Sequence, residues 1–153
     1  MELTDRTTES LGAELIRLVK LFVSMREHAP APYPGVDHTH FPVLVALARD
    51  PQRVSDLAGC VHADVSTVSR QVSHLVERGL VTRTADPQDG RVHHLHLTET
   101  GRFALDQITA TRGQWLRRVM HDWTDVDAAA FVGQIRRFAD DLEDAKSALR
   151  PRS

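Results

Sequence analysis

The apolar positions of this chain fall into helical spacing along most of its length, interrupted once by a stretch of strict alternation. Leu11, Leu15, Leu18, Phe22 and Met25 recur every three or four positions, which predicts an amphipathic helix over about residues 8–27. Ile16, Val19, Leu21 and Val23 add a second apolar side, more than a surface helix needs. Pro30, Pro32, Pro34 and Gly35 then impose a loop. Phe41, Leu44, Val45, Leu47 and Ala48 mark a second helix, with Thr39 as the expected N-cap and Pro42 tolerated in the first turn. A short third helix over 54–61 turns Leu57, Ala58 and Val61 inward, without a good cap at Arg53 or Val54. Only a few residues separate it from the next helix, so the two meet at a tight corner with helix-turn-helix spacing.

The fourth helix, Val65 to Arg78, is the most sharply patterned. Asp64 is placed to accept the free N–H groups of its first turn, and Gly79 to stop it. Val65, Val68, Val72, Leu75 and Val76 share one arc, while Ser66, Thr67, Arg70, Ser73, His74 and Glu77 occupy the other. A purely structural helix more often carries Glu/Lys pairs on its solvent face. Here short hydroxyls near the N-terminus permit close backbone approach, and an arginine follows one turn later. A helix N-terminus favours phosphate, and arginine grips guanine O6 and N7 with two bonds. The outer face therefore suits the major groove of DNA.

Alternation takes over at Leu80–Thr84 and returns at Val92–Leu97, around the turn-forming Asp86-Pro87-Gln88-Asp89-Gly90-Arg91. In the second strand Val92, His94 and His96 share one face, and His93, Leu95 and Leu97 the other. Such a hairpin is a wing, with Arg91 near its tip and Asp89 two residues away to orient the guanidinium for a narrow minor groove. Thr98 caps a long helix whose apolar positions run from Phe103 through Leu105, Ile108, Trp115, Leu116 and Val119 towards Trp123. Thr124 caps another, with Phe131, Ile135, Phe138 and Leu142 along one side to about Leu149. The predicted class is mainly α with a small β-hairpin. Residues 39–102 form a winged helix-turn-helix lobe, and residues 1–38 and 103–153 a helical region. The long helices exceed what that lobe needs, and a second copy of the chain is the expected partner for their apolar faces.

Composition adds constraint more than identity. The 153 residues are 41% hydrophobic and 26% charged, ordinary for a globular protein. No apolar run approaches the roughly 18 residues of a membrane span. The opening Met1–Arg6 lacks a signal-peptide pattern, and a single cysteine suits a reducing compartment, so a cytoplasmic location is expected. The net charge is −2, and residues 49–102 carry seven basic and seven acidic side chains. A DNA-binding role must therefore rest on where the arginines stand, not on bulk charge.

Several segments together resemble the MarR family of winged-helix transcription regulators: Val54–Ala58, Val65–Arg70, Leu75–Val81, the wing 86–91, and Leu97-Thr98-Glu99-Thr100-Gly101-Arg102. The Asp-x-Arg of the wing and the Leu-Thr-x-x-Gly step after it are the more specific signals. The terminal helices match in position and length. The resemblance implies a homodimeric repressor holding two winged lobes over a pseudo-palindromic operator. It assigns DNA contacts to Ser66, Thr67, Ser69, Arg70, His74, Asp89 and Arg91, with Ser69 towards the flank of the core. It also implies control by a small phenolic or anionic ligand in a crevice lined by Met25, His28, Tyr33, His38, His40, Phe41, Trp115 and Val119. The Pro-rich segment and the histidines around it depart from the family pattern, as do His93, His94 and His96 where basic residues are usual.

Other chemistries find less support. His28, His38 and His40 cluster around one loop, and His121 is a further candidate metal ligand, because imidazole suits zinc, copper or nickel. No Cys-x-x-Cys or His-x-x-x-His accompanies them, and the expectation is no bound metal or cofactor. Cys60 is the one candidate redox sensor, but its small apolar neighbours Ala58, Gly59 and Val61 predict a buried structural thiol. A phosphate loop, a nucleophile elbow and a metalloprotease pair are all missing, and the Asp140–Asp144 acidic run reads as a solvated helix face, so no enzymatic activity is expected. A helix-turn-helix used only for protein contact is the alternative outside DNA binding.

Overall fold

The computed structural model describes residues 3–28, 31–89 and 92–149, with Glu27 and His28 described by backbone only. Arg91, the side chain of His28, Pro30 and Gly90 therefore lie outside the described residues. Six helices and one hairpin follow in the order α1 Asp5–His28, α2 Phe41–Arg49, α3 Val54–Cys60, α4 Val65–Glu77, β1 Val81–Ala85, β2 His93–Leu97, α5 Glu99–Val119 and α6 Asp125–Ala148. The chain divides into two compact units, residues 1–112 and 113–153. Among the described residues no helix is long and apolar enough to cross a membrane.

In the first unit, Val43, Leu44 and Leu47 of α2, Leu57 and Ala58 of α3, and Val68, Val72 and Leu75 of α4 form one core. Leu80, Val81 and Leu95 close it from the hairpin, and Ala104, Leu105 and Ile108 from α5. Each fully buried aliphatic side chain contributes about 1.5–3 kcal/mol relative to exposure. The inner arc of α4 is thus fixed by hydrophobic burial, and its outer arc is turned away by the same geometry. Val65 departs from the expected arc and is exposed. It opens the helix, and side chains tilt towards the N-terminus, so it points past the helix end.

The caps agree with the sequence at three of four places. Asp64 accepts from Thr67 N–H at 2.8 Å. Thr124 accepts from Asp127 N–H at 3.2 Å. Thr98 accepts from Gly101 N–H at 2.9 Å and donates to Gly79 O at 2.7 Å. Thr39 does not cap α2. The residue before that helix is His40, which makes no side-chain cap bond. The Thr39 hydroxyl is taken by Asp37, and Pro42 in the first turn removes one N–H that needed an acceptor. Gly79 ends α4 in the left-handed region, with Leu80 N–H returning to Leu75 O at 3.0 Å.

β1 and β2 pair antiparallel, Val81 opposite Leu97 and Ala85 opposite His93. Leu95 is fully buried, as its predicted face requires. The sequence did not reveal a third, one-residue strand: Gln52 exchanges two backbone hydrogen bonds with Leu95, at 3.2 and 2.8 Å, and ties the α2–α3 link to the hairpin. The long terminal helices are different in kind. Among the described side chains neither α1 nor α6 has a buried residue, and apolar side chains such as Phe22 (55% exposed) and Ile135 (51%) face outward.

Gly101 shows how tightly α5 begins. A Cβ built on it would lie 2.0 Å from the carbonyl oxygen of Leu80. Only glycine allows this backbone-to-backbone approach. Gly101→Ala should force α5 off the lobe at a cost of about 1–3 kcal/mol, read as a lower urea midpoint with an unchanged slope. An unchanged midpoint would show that α5 can shift freely here.

Candidate nucleic-acid interface

The outer ridge of α4 carries Ser66, Arg70, Ser73 and Glu77, spaced four, three and four residues apart and opposite the buried Val68, Val72 and Leu75. Asp64 organises its start. The carboxylate accepts from the hydroxyls of Ser66 and Thr67 and from Thr67 N–H. These three donors hold its pKa far below the usual carboxylate range. Thr67 in turn accepts from Arg70 Nη2 at 3.3 Å, which leans the guanidinium back towards the helix N-terminus. Ser69 is half-buried on the flank, as the arc predicts.

Among the described residues neither Arg70 nor Arg83 is paired with a carboxylate. The balanced charge of the lobe therefore misleads, because two of its acids are occupied internally. Asp64 is the cap. Asp86 accepts from Gln88 N–H at 2.8 Å, from Asp89 N–H at 3.3 Å and from His94 Nε2 at 3.0 Å, with Arg53 at 3.8 Å. The Gln88 N–H first, then His94, hold the Asp86 carboxyl below its ordinary value. Asp86, which sequence reasoning passed over, is thus the anchor of the wing turn. Asp89, the expected partner of Arg91, is exposed beside it.

His74 is placed differently from the other candidate contacts. It sits at the edge of the ridge, half-buried, with Nε2 2.8 Å from Gly35 O. Its ring stacks on His40 at 4.8 Å between centroids. Arg78 Nε lies 3.1 Å from the same nitrogen. That nitrogen can serve one neighbour at a time: protonated it donates to Gly35 O, bare it accepts from Arg78. The loop after α1 is therefore tied directly to α4. Its Val36 is fully buried, an anchor hidden from sequence reading by the prolines and glycine around it. A cavity of about 450 Å³ lies between loop and helix, bordered by Val36, Thr39, His40, Arg70, Gln71 and His74.

The remaining candidates scatter. Tyr33 is half-buried and bridged to Val36. His38 is half-buried, and its Nε2 is buried without a hydrogen-bond partner among the described residues. His40 is buried with Nδ1 2.9 Å from Asp37 Oδ1. Phe41 lies under the guanidinium of Arg112, 4.4 Å from the ring centroid. These four share the first unit; Trp115 and Val119 belong to the second, as does His121, which pairs with Asp122 at 3.1 Å. Among the described residues no three His, Cys, Asp or Glu side chains gather as a metal-holding group. Cys60 is exposed, contrary to the expected buried thiol, because it lies off the arc that Leu57 and Ala58 turn inward.

Three short helices with a tight α3–α4 corner, an exposed polar ridge on α4 and an anchored hairpin define a winged helix-turn-helix protein. Residues 35–92 match the family model described as MarR family. The uncharacterized HTH-type transcriptional regulator YxaD of Bacillus subtilis is 31% identical over 87 residues, 57% of this chain and 61% of that protein. The alignment thus spans about three fifths of that relative's length. The PcaV transcriptional regulator of Streptomyces coelicolor, solved in complex with its natural ligand, is 26% identical with a TM-score of 0.62, covering 92% of this chain and 98% of that one. A MarR family protein from Bacillus stearothermophilus shares the fold, with a TM-score of 0.72 over 93% of this chain and 99% of its own, at 20% identity. The winged lobe thus carries the MarR-family match over residues 35–92, and the fold is the one that these solved structures share.

The histidine stack carries a pH signature. Burial pushes His40 below its ordinary value of 6.5; Asp37 opposes this, while His74 and Arg78 add to it. The unfolded chain therefore takes up that proton first, and the fold loses stability as pH falls through 6.5. Denaturant midpoints should drop between pH 7.5 and 5.5 more steeply in the native chain than in His40→Gln. Equal slopes would remove His40 from the account.

Proposed function

We propose that this chain is a homodimeric, sequence-specific DNA-binding repressor that acts on a pseudo-palindromic operator and yields to a small phenolic or anionic ligand. The observation that carries the DNA reading is the ridge of α4, where Arg70 stands without a carboxylate partner among the described residues, opposite a fully buried aliphatic arc. Ser66 and Thr67 let the helix N-terminus approach, Arg70 reads base edges, and Ser69 stands at the flank. Asp89 and Arg91 serve the wing in the minor groove. His74 acts chiefly by holding the loop, since its ring is engaged by Gly35 and His40.

Dimerisation is supported by the exposed apolar faces of α1 and α6, assigning residues 1–38 and 103–153 to the interface region. Two modest readers on one duplex gain affinity through effective concentration, and recognition helices about 34 Å apart meet successive major grooves. Ligand control is supported by PcaV, which was solved with its natural ligand, and by the buried His38 Nε2, which has no hydrogen-bond partner among the described residues, in the segment that holds Tyr33, His40 and Phe41. His28 and Trp115 complete that set by resemblance. A transcription repressor of this kind works in the cytoplasm.

Binding to DNA from the chain's own upstream region, followed by fluorescence anisotropy, tests the reading. Arg70→Ala should lose about 1–3 kcal/mol of discrimination between operator and unrelated duplex. Equal, undiminished binding by that variant would indicate a helix-turn-helix used for protein contact. Sedimentation should give a dimer, and Ile135→Asp on α6 should shift it towards monomer. A native chain that sediments as one copy would end the homodimer reading.

A further inference from the structure

We propose that Arg83, held by Ser73, is a phosphate clamp of the DNA-binding surface, standing on the wing strand and not on the recognition helix. Resting on the DNA-binding reading above, it adds a contact that neither the recognition helix nor the wing tip supplies.

Arg83 pairs with Leu95 across the hairpin, and Val81 with Leu97. Directly opposed residues share a face, so Arg83 is on the same inward side as the buried Val81 and Leu95. A long cation on a core-facing register is unexpected for a plain structural strand. The side chain escapes the core along α4, and its Nη2 donates to Ser73 Oγ at 2.9 Å. Ser73 lies on the outer ridge, between Arg70 and Glu77. Arg83 therefore displays its charge beside the middle of the ridge while remaining exposed.

Its bonding leaves that charge available. Glu77 is one turn from Ser73, yet Arg83 takes the neutral hydroxyl. One N–H of the fork is spent on Ser73, and the remaining donors face outward with no carboxylate among the described residues. A strand residue standing beside an inserted helix meets the groove wall, where the phosphates run, not the floor, where base edges lie. The bond to Ser73 restricts the rotamers of a flexible side chain before DNA arrives, lowering the entropy lost on contact.

Phosphate contacts and base contacts leave different signatures. The full-length chain is titrated by anisotropy against an upstream-region fragment and an unrelated duplex, from 50 to 200 mM salt. Arg83→Ala should weaken both complexes by a similar factor, on the order of tenfold at low salt, and lower the slope of log K against log salt by about one per protomer. Arg83→Lys should restore the slope but not the full affinity. Ser73→Ala should weaken binding with the slope kept, because the charge remains while its placement loosens. An unchanged slope and affinity in Arg83→Ala overturns the clamp while leaving the DNA reading intact. A loss confined to the upstream fragment also overturns it, marking a base contact. If the native chain binds neither duplex, the DNA reading falls and the clamp with it.

Discussion

The burial of Val68, Val72 and Leu75 is the constraint on which the remaining architecture depends. These three side chains lock the rotation of α4 about its own axis, and that rotation alone decides which residues form the outward ridge. α2, α3 and the hairpin close around the same arc, so the core is one contiguous cluster with the recognition helix as its central member. A rotation of one residue would bury Ser69 and Ser73 and expose Val68. The loss of aliphatic burial, together with unsatisfied hydroxyls, makes that alternative costly. Which side chains the lobe displays on its outer ridge is thus a by-product of hydrophobic phase.

Charge is managed by the same logic of placement. Counting acids against bases along the lobe gives a balance, but the acids are not distributed like the bases. Asp64 closes the first turn of α4, and Asp86 gathers two backbone N–H groups and a histidine to set the wing. Carboxylates engaged by several donors contribute less to the outward field than free ones. Arg70 and Arg83, by contrast, are tethered among the described residues to hydroxyls. A hydroxyl orients a guanidinium without neutralising it, so the positive charge stays available at the surface.

What could be read from the sequence follows from where periodicity exists. α4 was legible because a helical repeat, an N-cap aspartate and a stopping glycine agreed with one another. The hairpin was legible from alternation and turn residues. Gln52 was not, since a one-residue strand has no period to detect. Val36 was hidden because Pro and Gly around it signalled loop, and loops are expected at the surface. His74 showed its position on the arc but not its occupant, as nothing local announces that Gly35, 39 residues earlier, will reach its ring. Arg83 did leave a mark, a cation on the same register as Val81, but a charged residue in a short strand is ordinarily read as solvent-facing. The cysteine misreading had a similar origin: small neighbours describe the chain, not the side of the helix.

The link from His74 to the carbonyl of Gly35 has a consequence for how residues 31–40 behave as a segment. The partner is main chain, and the path that presents it takes Gly35 through a φ of 73°, where a Cβ would lie 1.8 Å from Arg78 Nη1, so glycine is what that path requires. With Val36 in the core and His40 stacked on the helix, this stretch belongs to the cooperative unit of the lobe, despite its irregular form. Loop tips usually accept insertions and nicks freely. Here added length would lift an anchor out of the core and let go of the recognition helix together, so the connection is a strut in the scaffold more than a tether between helices.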